Sequence, residues 1–80
     1  MFNHYNENDL LLVIDLIFYF ESKFNRYVDY TIGAFIADEY NKITGQNRNG
    51  GAMYMLCWRI KEGVYDSRYP SVAIARRKIS

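Results

Sequence analysis

Eighty residues, half of them apolar and 18% aromatic, make one small domain spanning 1–80 and exclude an intrinsically disordered chain. A single cysteine excludes a disulfide-stapled secreted scaffold and points to a reducing, cytoplasmic setting. The formal charge of +1 hides two opposed halves: residues 1–45 carry three basic and seven acidic side chains, net −4, and residues 46–80 carry seven basic and two acidic ones, net +5.

Residues 1–8 are polar and read as a loose N-terminal tail, with Asn8 as a helix cap and Asp9 favourable in the first turn. A first helix is expected from Asp9 to Tyr27. Leu10, Val13, Ile14, Ile17, Phe20 and Phe24 fall on one face at helical spacing. Leu11, Leu12, Leu16, Phe18 and Tyr19 extend the apolar arc beyond one face, so the helix needs a second cover. That cover is either another subunit, giving a homodimer through helix 1, or the C-terminal segment wrapped around it. The run from Leu10 to Phe20 is broken by Asp15 and falls short of the roughly 20 residues that cross a bilayer. It has neither a basic leader nor a cleavage site, so no membrane span or signal peptide is expected.

A second helix is expected from Thr31 to Ile43, capped by Asp29 or Thr31, with Ile32, Phe35, Ile36, Tyr40 and Ile43 as its apolar stripe. Asp38 and Glu39 are adjacent on it and read as a solvated face. Gly45 is placed to end the helix in the left-handed conformation. A third helix is expected from Gly51 to Glu62, with Met53, Leu56, Cys57 and Ile60 inward and Trp58 packed in the core. Gly63 stops it. The remainder is β-rich: Val64-Tyr65 and Ser71–Lys78 are expected to pair as a two-stranded ribbon around a loop at Asp66–Pro70. The fold class is then mainly α with a small β-hairpin.

Three helices followed by a ribbon is the order of a winged helix. Residues 31–79 resemble that family: a short helix, a polar turn, a second helix ending in Lys61-Glu62-Gly63-Val64, then a ribbon carrying basic residues. The resemblance implies that helix 3 recognises the major groove and that the ribbon acts as a wing on the backbone. Counting from Ala37 puts Asn41 where the tight helix-turn-helix form has glycine, so the turn is longer than three to four residues.

The residue types agree with a double-stranded DNA partner. Gln46, Asn47, Arg48 and Asn49 precede helix 3, and amide and guanidinium side chains read base edges in pairs of hydrogen bonds. Arg59, Lys61, Arg68, Arg76, Arg77 and Lys78 are expected to neutralise phosphates. The first functional expectation is a small transcriptional regulator that binds DNA. The second is a virus- or plasmid-type protein-binding inhibitor that captures a host nucleic-acid enzyme, since Trp, Tyr and Arg dominate protein interfaces. A third is a structural oligomer whose charged halves pair across a symmetric interface. Tyr54, Trp58, Tyr65 and Tyr69 lie among basic residues and suit base stacking or a protein partner.

No catalytic, metal or cofactor site is expected. His4 is the only histidine, and one cysteine with one histidine cannot supply a zinc site. Cys57 reads as an inert core thiol. Gly50-Gly51 lacks the lysine and hydroxyl residue of a phosphate-binding loop.

Overall fold

In the computed structural model, residues 5–79 are described; Met1 to His4 and Ser80 lie outside the described residues, and of the loose tail expected at 1–8 the described part is ordered: Tyr5 packs against Tyr40, Asn6 is a cap, and Glu7 and Asn8 are helical. Asn6 begins the first helix, two residues before the expected cap. Its side chain accepts from the Asp9 amide at 2.8 Å, and the Asp9 carboxylate accepts from the Asn6 amide at 3.1 Å. This reciprocal box satisfies two donors that the first turn leaves open. Helix α1 runs Glu7–Phe24 and ends at Asn25, whose φ of 52° is left-handed. Arg26 and Tyr27 therefore lie in the connection, not in the helix.

Asp29 caps the second helix, α2 (Tyr30–Thr44), by accepting from the Ile32 amide at 2.8 Å. Gly45 closes it at φ 74°, as the spacing predicts. Helix α3 (Gly50–Lys61) is capped by Asn49, whose side chain accepts from the Ala52 amide at 2.7 Å.

The expected ribbon is absent. Residues 62–68 form turns, the extended Tyr69 leads into a short helix α4 (Pro70–Ala75), and Arg76–Ile79 is a 3-10 turn. No strand occurs among the described residues, so the chain carries no wing and the fold is all-helical. Pro70 stands in the first turn of α4, where its missing N–H costs nothing. Val72 and Ile79, seven residues apart, both reach the core. That is helical spacing, and it outweighed the β preference of Val72, Ile74 and Ile79.

One core holds the elements together. Leu10, Ile14 and Ile17 of α1, Ile32, Ile36 and Tyr40 of α2, and Met53, Leu56 and Ile60 of α3 are almost wholly buried, with Val72 and Ile79 closing one side. Each fully buried aliphatic side chain stabilises by about 1.5–3 kcal/mol. Helices α2 and α3 come into near backbone contact close to their N-terminal ends. A Cβ on Gly33 would sit 3.0 Å from Tyr54 Cβ, and one on Gly50 would sit 3.1 Å from Ala34 Cα.

The wide arc of α1 is covered on one flank by α2 and on another by the C-terminal segment, through contacts of Ser71 with Glu7 and Lys78 with Asp15. Tyr19, Phe24 and part of Phe18 remain uncovered. No helix among the described residues is long and apolar enough to cross a membrane.

Candidate functional site: an aromatic interaction surface

The basic residues of the second half do not gather into one unpaired surface. Lys61 Nζ lies 2.6 Å from the Glu21 carboxylate, with the two side chains only 8% and 13% exposed. Arg76 binds Asp66 with both Nε and Nη2 at 2.8–3.1 Å and donates through Nη1 to the Lys61 carbonyl. This pairing holds the Asp66 carboxyl below its ordinary pKa, the Arg76 hydrogen bond being the main cause. Lys78 Nζ lies 2.6 Å from Asp15. Two of these three partners, Glu21 and Asp15, belong to the acidic half. The opposed charges thus cancel across helix contacts.

The polar turn is similarly occupied. Asn41 donates to the Arg48 carbonyl and accepts from the Arg48 amide, both at 2.9 Å. Arg48 Nε donates to Gln46 Oε1 at 2.9 Å, and its guanidinium sits 4.4 Å from the Tyr5 ring centre. Asn49 is committed to its cap. Asn47 is exposed, as are Arg59, Arg68 and Arg77. Arg59 makes no ion pair among the described residues, and the Arg68 guanidinium lies 6.0 Å from the Tyr69 ring. The ten residues expected to meet DNA are therefore spread over the turn, α3 and the C-terminal segment, and six of them (Gln46, Arg48, Asn49, Lys61, Arg76 and Lys78) make contacts within the fold.

What the structure does leave open is aromatic. Phe20, Phe24 and Phe35 stack with centroids 5.6–6.3 Å apart, joining α1 to α2. Tyr19 meets Phe20 edge-on at 5.0 Å. Lys23 Nζ lies 5.7 Å from the Tyr19 ring and 5.9 Å from the Phe24 ring, and Arg26 lies 5.4 Å from Phe24. Beside the stack, Leu16, Tyr19, Phe20, Lys23 and Glu39 line an open groove of about 460 Å³. Tyr19 is 55% exposed, and Phe24 and Phe35 are more than a third exposed. Half-buried rings flanked by charges match the composition of interface centres, where aromatic residues are enriched. The sequence hint was the over-wide apolar arc of α1; the contribution of Phe35 needed the α1/α2 packing to be seen.

A second aromatic row lies on the far side of α2. Tyr30 stacks on Tyr54 at 4.2 Å, and Tyr54 meets Trp58 edge-on at 6.4 Å. Trp58 is half-buried instead of fully in the core, and its Nε1 has no hydrogen-bond partner among the described residues.

Cys57 is buried, and burial pushes its thiol up to about 12. Asp38 and Glu39 point to solvent or the groove rim, with Glu39 3.6 Å from Lys42. Among the described residues no group of three His, Cys, Asp or Glu could hold a metal ion. No protein-family model, no curated protein and no solved structure matches this chain.

Proposed function

We propose that this chain is a non-catalytic protein-interaction module that works as a symmetric homodimer through α1. One observation carries the reading: the partly exposed Phe24–Phe35 stack, 5.6 Å ring to ring, with Lys23 and Glu39 both lining the groove beside it. A two-fold interface requires that if one residue meets another, the second also meets the first. Lys23 from α1 and Glu39 from α2 satisfy that rule, because each copy presents both members of an opposite-charge pair. The rings would supply the desolvated centre and the charges the rim.

Light scattering over a concentration series tests this. A mass that doubles with concentration is expected. Phe35→Asp returns it to one chain while the far-ultraviolet helical signal persists. Lys23→Glu alone weakens the dimer, and Lys23→Glu with Glu39→Lys restores it. A chain that stays single at every concentration rejects the dimer.

A second reading keeps duplex DNA as the partner and the chain as a regulator of transcription. It is favoured by the outward side of α3, where Gly51, Ala52, Met55 and Arg59 are all exposed next to Asn47. The small residues permit close approach to a groove. It predicts duplex binding that falls steeply with salt, since each neutralised phosphate releases counterions. It also predicts a loss of binding in Arg59→Ala.

A further inference from the structure

We infer that the outer seam between α2 and α3 docks a cationic, arginine-bearing segment of a partner protein. The inference rests on reading the chain as a protein-interaction module, and it uses a different face from the α1/α2 groove. Three observations converge on it.

First, the seam presents ring faces to solvent. Tyr30 is 67% exposed and lies 4.2 Å over Tyr54, with Trp58 edge-on beyond. The close approach of α2 and α3 at Gly33 and Gly50 brings these side chains together.

Second, Tyr30 and Tyr54 lack cations of their own, whereas Trp58 has Lys61 Nζ 5.2 Å from its ring. Elsewhere several exposed rings are paired: Lys78 with Phe18, Lys23 with Tyr19 and Lys61 with Tyr27. Tyr30 and Tyr54 have no such partner among the described residues. A guanidinium stacks on a ring face and keeps its edges available for hydrogen bonds.

Third, exposed carboxylates lie further along both elements of the seam. Glu62, the C-cap of α3, lies one turn beyond Trp58, and Asp38 lies two turns beyond Tyr30 on α2. Both are exposed, and neither has an ion-pair partner among the described residues. Lys42, one turn past Asp38, leans 3.6 Å from Glu39 instead. Lys61 is held by Glu21. Arg59, one turn before Glu62, is the single nearby cation with no ion pair among the described residues. Exposed carboxylates on both elements of the seam favour a cationic chain along it and disfavour a nucleic-acid strand.

The fluorescence of Trp58, the sole tryptophan, reads the test directly. The full chain is titrated with a short arginine-rich peptide, its glutamate-rich counterpart and a single-stranded oligonucleotide. The arginine-rich peptide is expected to bind saturably. Its affinity falls about tenfold in Tyr30→Ala and again in Asp38→Asn with Glu62→Gln. Tyr30→Phe, which keeps the ring, and Phe35→Asp, on the other face, leave it unchanged. Equal binding of the acidic peptide or the oligonucleotide overturns the inference, as does arginine-peptide affinity that ignores both sets of substitutions. Light scattering on the same samples separates the two readings. A single chain that still binds the peptide supports the seam and rejects the dimer, whereas a dimer that ignores the peptide rejects the seam.

Discussion

Glu21 and Lys61, forty residues apart, meet 2.6 Å from each other beneath the rings of Tyr27 and Trp58. The same carboxylate accepts from the Val28 amide at 2.9 Å. One side chain therefore ties together the end of α1, the connection to α2 and the end of α3. Removing either partner leaves the other charge little exposed and uncompensated. Lys61→Ala and Glu21→Ala are each expected to cost about 3–5 kcal/mol, read from urea unfolding. Lys61→Met with Glu21→Gln recovers much of that loss. Equal stability of the single variants and the parent would refute the assignment.

The α2/α3 contact tolerates no added methyl. Gly33→Ala places a carbon 3.0 Å from Tyr54 Cβ and 3.2 Å from the Gly50 carbonyl, neither of which is the loose end of a side chain. A loss of about 1–3 kcal/mol is expected, with a lower melting temperature. Gly51→Ala, which meets only the Asn49 side chain at 3.5 Å, is expected to be neutral or slightly stabilising.

Acid is expected to loosen the chain through two carboxyls. Asp66 is lowered by its hydrogen bonds from Arg76, and Asp29 by the Ile32 amide and then by Arg26. A group whose pKa is lower folded than unfolded stabilises above its unfolded value and loses that contribution as pH falls through its folded one. Melting temperature should therefore hold from neutrality to about pH 4 and then drop. Asp66→Asn lowers the neutral plateau and flattens the acid slope. A parallel slope in that variant would exclude Asp66 as a source.

Cys57 is expected to ignore thiol reagents in the folded chain at mildly alkaline pH, because burial keeps it protonated. Reaction with a chromogenic disulfide should track unfolding, rising only as denaturant opens the core. A prompt native-state reaction would contradict the burial.

The three long helices were legible because their apolar spacing and end signals agree: Asp29, one of two candidate caps, Gly45 as a stop and Gly63 after α3 all stand where the pattern puts them. The start of α1 was misplaced because Asn6 and Asn8 are equally good caps in isolation, and Asp9 completes a box only with Asn6. The tail was misread because Val72, Ile74 and Ile79 favour strands while Pro70 and the Val72/Ile79 spacing favour a helix. Packing on α1 decided between them. The charge halves misled for a related reason. Linear bookkeeping cannot register that Lys61 and Lys78 reach back to Glu21 and Asp15. The aromatic groove was half visible, since helical spacing exposes Tyr19 but does not place Phe35 beside Phe24.

Asn41 donates to the Arg48 carbonyl and accepts from the Arg48 amide, so the backbone from 42 to 47 is a closed ring with Asn47 at its rim. A protease nick there would sever the covalent link without releasing either piece. The acidic fragment and the basic fragment would remain joined by the shared interior and by the Glu21–Lys61 and Asp15–Lys78 bridges. The molecule can thus be regarded as two complementary peptides that happen to be encoded in tandem.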